Sequence, residues 1–287
     1  MDAADEVRAW PDGARPSQLI HVFDGRRSQQ RYMKIPDYAA AQYPDLSTHF
    51  EEFYGALVAR KRAALRPEDV SPVALIPFKI ELLLQVGIRR VLELADGFVR
   101  EADARSWTPL FVISRAMLET SALVYDVWTK GRDALASGDQ RSLEEYDKRL
   151  AAALMGAKVE EWGGPGLKSI NIVTVIQRVT KTIPALLPFY EGLSEQAHPN
   201  YMGMYGLYHR VAPSGDKGYF VDAPMKEDPR AIAGPLSAAA CGLGLLLEAA
   251  NSYDAAVGAL CSFCEAAIHQ DGTWPAHIPY PVPRPVA

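Results

Sequence analysis

The sequence predicts an all-α protein, a helical bundle of six or seven helices with one small β-hairpin. Three observations carry that reading. Apolar residues recur at three-to-four spacing over long stretches. Proline, glycine and small polar clusters interrupt those stretches at intervals of helical length. Alternation of large apolar and polar residues is confined to Tyr205–Val211 and Gly218–Asp222, which predicts the hairpin at about residues 205–222.

Residues 1–36 mix proline, glycine and arginine without a sustained period and read as an irregular arm. Thr48 and Glu51 have the spacing of a capping box, and Phe50, Phe53, Leu57 and Val58 then predict a helix reaching Leu65. From Pro77 to Ala104 the stripe Ile80, Leu84, Ile88, Val91, Ala95 and Phe98 lies opposite Arg89, Arg90, Glu93 and Asp96, an amphipathic helix about 40 Å long. Thr108 and Pro109 read as the N-cap and first turn of a helix running to about Leu135 that is apolar almost all round. Only a narrow stripe of Arg115, Glu119 and Asp126 is charged there, which predicts a central helix whose charges face protein or a cleft. Leu143, Tyr146, Leu150, Leu154 and Ala157 predict a further helix ending near Trp162, followed by a loop at Gly163–Gly166. Ile170–Lys181 has helical length despite its β-branched start. Pro184–Ala197 reads as a short helix halted at His198, because Pro199 disfavours α geometry in the residue before it. Arg230–His269 is the last helical stretch, expected to break or kink at Pro235 and at Gly242, Gly244 and Gly258. The organisation predicted is an arm (1–36), a single helical domain (37–274) and a Pro-rich tail (275–287).

With 287 residues, 48% of them apolar and 23% charged, the chain is excluded from the disordered, collagen-like and disulfide-scaffold classes. A net charge of −5 means that capture of nucleic acid would need a local basic patch. Cys241, Cys261 and Cys264 are an odd set suited to a reducing compartment. Acidic residues Asp2, Asp5 and Glu6, with no apolar segment behind them, do not form a secretory signal, so the expected location is cytoplasmic. The uncharged run Ala231–Leu247 is diluted by small residues; it predicts a buried helix, or a homodimer through residues 231–260, with no membrane contact.

The chemistry-bearing residues fall in two places. Arg115 and Glu119 are one helical turn apart and can pair. Tyr190, Ser194 and His198 stand at i, i+4 and i+8, and the end of the helix dipole favours a protonated imidazole at His198. Asn200 adds a polar group beside them.

The segments Ser114-Arg115-Ala116-Met117-Leu118-Glu119 and Phe189-Tyr190-Glu191-Gly192-Leu193-Ser194-Glu195-Gln196-Ala197-His198-Pro199-Asn200 resemble a family of bacterial helical proteins with an Arg-x-x-x-Glu helix and a Tyr-x-x-Leu-Ser-x-x-x-His-Pro segment. That family is similar to the HEPN-like and abortive-infection proteins, and the resemblance spans roughly residues 75–225. It implies a bacterial defence or stress protein, an RNA-cleaving toxin among the candidates, that takes RNA or a nucleotide in a polar cleft. On this carry-over Arg115, Glu119, Ser194 and His198 are the catalytic candidates, and Tyr190, Asn200 and Asp126 would bind substrate. The HEPN signature itself, an arginine followed by a histidine five to seven residues later on one helix, does not occur after Arg115 or Arg178. Arg15 and His21 have that spacing only within the irregular arm.

Two further readings compete. The same residues can form a buried polar network in a non-catalytic binding or assembly protein, since paired charges returned to the interior cost about what they gain. A di-metal carboxylate site could use Glu195, His198 and Glu119, but Glu265 and His269 are one residue too far apart to supply the second Glu-x-x-His. Cys261-x-x-Cys264 with His269 and His277 starts like a zinc site, yet lies in a helix, where small buried thiols pack as apolar groups. No metal and no cofactor are therefore expected, and phosphate-loop, dinucleotide and nucleophile-elbow motifs are missing from the sequence. A shared cleft predicts that His198 lies within hydrogen-bond or one-water distance of Glu119 or Arg115.

Overall fold

The computed structural model describes residues 33–71, 74–159, 163–164, 166–211, 219–221 and 229–271. The arm expected before residue 33, Trp162 and the Pro-rich tail lie outside the described residues. In chain order the α-helices are α1 (Asp37–Gln42), α2 (Pro44–Arg60), α3 (Leu75–Asp103), α4 (Trp107–Ser137), α5 (Gln140–Met155), α6 (Ile172–Val179), α7 (Leu186–Ala197) and α8 (Ala233–Asp271). Between α7 and α8, β1 (His209–Val211) and β2 (Tyr219–Val221) pair antiparallel, with Arg210 opposite Phe220.

The fold is all-α, and two helices form its centre. α4 touches α3, α5, α6, α7 and α8, while α8 touches α2, α3, α4 and α7. The near-continuous apolarity of α4 is the cause: Leu110, Met117, Leu118, Ala122, Val124, Val127 and Trp128 are all buried, and a helix apolar on several sides is stable only when neighbours cover each of them. Small residues on α8 let it approach closely. Ala238, Ala239 and Ala249 are buried, and a side chain on Gly242 would meet the α4 backbone at Met117 and Leu118. Part of the small-residue stretch considered for a subunit contact is thus used inside the bundle, while Ala255, Gly258 and Ala259 are exposed. Residues 230–268 are long and apolar enough to cross a membrane by length and composition, and 56% of their most apolar window is buried in the fold.

Several local expectations are corrected. α8 is continuous, because Pro235 stands in its first turn, where a missing N–H removes no intrahelical bond. α2 starts at Pro44 rather than Thr48, and Glu51 accepts the Ile35 N–H at 2.9 Å instead of closing a capping box. That contact draws Ile35, expected in the arm, fully into the core. α4 starts at Trp107 with Ser106 as the N-cap residue, so Thr108 is inside the helix and its hydroxyl meets the Tyr208 hydroxyl. Tyr205, expected to open the first strand, lies in the helical turn Tyr201–Gly206, and the strand starts only at His209.

Burial raises the Cys264 thiol and the Tyr146 and Tyr253 hydroxyls above their ordinary values. Burial and a hydrogen bond to Asp96 push Tyr54 up to about 12. All four groups are neutral when protonated. The unfolded chain releases these protons from about pH 9.0 for cysteine and 10.0 for tyrosine, so above that range the native state holds more of them. Their stabilisation is fully present below pH 9 and is lost as pH rises through the native values. Urea midpoints should be level between about pH 7 and 8 and fall steadily above about pH 9; an unchanged midpoint up to about pH 11 would contradict this linkage.

Candidate functional site

The candidate site lies where α4 and α7 run side by side. Arg115 Nε donates to Glu119 Oε1 at 2.9 Å, the one-turn pairing expected from their spacing. Arg115 Nη2 donates to the Tyr190 hydroxyl at 3.1 Å, and the guanidinium carbon is 5.1 Å from the centre of the Tyr190 ring. Desolvation works against the guanidinium charge, but Glu119 and Tyr190 outweigh it and hold the Arg115 pKa above its ordinary value. Arg115 and Glu119 each keep about a quarter of their side-chain surface in solvent, at 25% and 26%. Tyr190 is buried.

The side chains of Ser194 and His198 make no hydrogen bond to the side chains of this trio among the described residues. The Ser194 hydroxyl donates back to the Tyr190 carbonyl at 2.7 Å, a local helical bond. Among the described residues no hydrogen bond links His198 to Arg115 or Glu119, and His198 is exposed. The reason lies in the backbone. Pro199 forces His198 out of α geometry, to φ −82° and ψ 148°, so the imidazole leaves the line that Tyr190 and Ser194 follow. The His198 N–H still closes α7 on the Ser194 carbonyl at 3.0 Å.

Asn200 is taken up by local structure. Its Nδ2 donates to Glu195 Oε2 at 2.8 Å and its Oδ1 accepts the Gly203 N–H at 2.9 Å, capping the turn Tyr201–Gly206. A Cβ on Gly203 would lie 1.9 Å from the His198 carbonyl oxygen, so glycine is required there. This fixed turn exposes a run of large apolar side chains: Tyr201 at 67%, Met204 at 58%, Tyr208 at 42%, Met202 at 41% and Tyr205 at 38%. The Tyr201 and Tyr205 rings are stacked, 5.0 Å apart and 25° between planes.

Asp126, grouped with Arg115 and Glu119 in the sequence, belongs to a different place three turns along α4. Only 4% of its side chain is exposed. Arg178 Nε and Nη2 on α6 donate to its two oxygens at 2.7 and 3.0 Å, and Arg149 Nη2 on α5 donates to Oδ2. Sequence reasoning missed both arginines. An acid inside an apolar helix needs a cationic partner, and Arg149 and Arg178 each sit beside a buried stripe residue, Leu150 and Val179, which is the signal that could have found them.

Among the described residues no group of three His, Cys, Asp or Glu side chains is placed to hold a metal ion. Glu195 is engaged by Asn200, Glu265 accepts the Ser71 hydroxyl at 3.0 Å, and the Cys261 thiol donates to the Val70 carbonyl. No protein-family model, curated protein or solved structure matches this chain.

Proposed function

We propose that the chain is a non-catalytic helical binding and assembly protein that self-associates through the turn following α7. The observation that carries this reading is the rigid run of exposed tyrosine and methionine side chains from Tyr201 to Tyr208. Contiguous apolar surface held out to water is costly unless a partner covers it, and tyrosine and methionine are the side chains enriched at such contacts. The charges of α4 support it as well, since Arg115 is paired with Glu119 and Asp126 with Arg149 and Arg178, the pattern of a network that orients helices.

Light scattering coupled to size exclusion tests the reading. Wild-type protein is expected to run as a dimer, and the double variant Tyr201→Ser/Met204→Ser as a monomer with an unchanged far-ultraviolet circular dichroism spectrum. A wild-type monomer at every concentration would sink the proposal.

An HEPN-like, RNA-cleaving reading draws on a separate observation, an exposed His198 imidazole one short helix away from the Arg115 guanidinium. Because the imidazole is exposed, His198→Ala is expected to leave the melting temperature within a degree or two, about the range of a neutral surface change. RNA cleavage by wild type that this variant abolishes would favour the nuclease over the assembly protein.

A further inference from the structure

The junction of α4, α5 and α6 has a charge imbalance and a cavity beside it. A cavity of about 230 Å³ is lined by Asp126, Thr129, Lys130, Arg178, Lys181 and Thr182, together with Tyr125 and Val179. Asp126, buried at 4% exposure, forms the wall where the two arginines meet. Lys130 is neutralised by Asp133 at 2.9 Å. The other charges do not cancel. Arg178 and Lys181 are two cations on its lining, Asp126 is the one carboxylate there and is shared by Arg178 with Arg149, which stands outside the lining, and no carboxylate pairs with Lys181 among the described residues. A surplus of one positive charge therefore faces a partly enclosed space.

The hydrogen bonding is incomplete in the same place. The Asp126 carboxylate accepts three N–H groups from the two arginines, which takes up three of its about four acceptor sites. Thr129 Oγ1 is buried and has no partner. Thr129 is one turn from Asp126 and lines the cavity. A buried donor left without an acceptor is uncommon in a native fold and points to a group that supplies one. Arg178 meets Asp126 through Nε and Nη2, which leaves its remaining N–H groups for a second acceptor.

We propose that this junction is a binding site for a phosphate group, either inorganic phosphate or the phosphate of a monoester. A phosphate carries about −1.5 to −2 charge at neutral pH and three strong acceptor oxygens, which answers the positive surplus and offers acceptors to Thr129, Lys181 and the remaining N–H groups of Arg178. A cation would meet three positive side chains. A purely apolar ligand would leave Thr129 unsatisfied. The site is separate from the α4–α7 surface and from the Tyr201–Tyr208 turn, so its test is independent of the assembly reading.

Isothermal titration of the full chain with inorganic phosphate, adenosine monophosphate and adenosine, at matched ionic strength in chloride, tests the proposal. Phosphate and the monophosphate are expected to bind saturably at one per chain, and adenosine not to bind. Lys181→Gln, at an exposed position, and the isosteric Thr129→Val both keep the fold, and each is expected to weaken phosphate binding about tenfold through loss of one bond to the anion. Tighter binding of the monophosphate than of phosphate identifies a monoester as the ligand, and equal affinity identifies the free anion. No saturable heat from either phosphate, adenosine binding as tightly as its monophosphate, or unchanged affinity in both variants would overturn the proposal.

Discussion

Lys79→Met is expected to destabilise the protein by about 3–5 kcal/mol. Lys79 on α3 donates to both carboxylate oxygens of Asp147 on α5, at 2.7 and 3.0 Å, and the two side chains are 1% and 0% exposed. Methionine fills much the same space, so the loss measures electrostatics rather than a cavity. Without the ammonium, Asp147 keeps a charge in the interior with its main counter-ion gone. The double variant Lys79→Met/Asp147→Leu removes both charges and is expected to recover most of the loss, because a buried ion pair returns little more than its desolvation cost. Urea unfolding of the two variants against wild type decides the matter. A single variant within about 1 kcal/mol of wild type would mean that solvent reaches the pair.

Trp128→Ala is expected to cost about 3–5 kcal/mol as well, for a different reason. Trp128 on α4 is 1% exposed and meets the Tyr253 ring of α8 edge to face, with centroids 5.5 Å apart. Tyr253 in turn donates its hydroxyl to the Pro77 carbonyl at 3.1 Å, so the contact fastens α3, α4 and α8 at one point. Truncation removes a large apolar surface and leaves a cavity between the two central helices. Trp128→Phe should cost clearly less, because the indole N–H has no hydrogen-bond partner to lose. Chemical denaturation orders the three proteins; an alanine variant as stable as the phenylalanine variant would show that the bundle collapses into the space.

The local rules that made the fold legible are visible in particular elements. The stripe from Ile80 to Phe98 became α3, with Ile80, Leu84, Ile88, Val91, Ala95 and Phe98 all buried. The all-round apolarity after Thr108 predicted a central helix, and α4 is one. In the candidate site, the Arg115–Glu119 pair followed from one-turn spacing alone. Periodicity carries this information because burial selects residues every three or four positions, whatever the neighbours are.

Helix starts were less legible. A capping box is a short, common pattern, and the Ile35 N–H competed successfully for Glu51. Helical spacing also placed His198 on one line with Tyr190 and Ser194, although Pro199 ends that line at the residue in question. The spacing rule holds only while the backbone stays helical.

The sequence by itself determined an all-α bundle, the central place of α4 and the pairing of Arg115 with Glu119, because each follows from residues within a few turns of one another. Only the tertiary structure decided which distant charges meet. Lys79 finds Asp147 across 68 positions, and Arg178 finds Asp126 across 52. No local pattern encodes such a pairing: a charge inside an apolar stripe demands a partner, but which one it finds depends on how the helices pack.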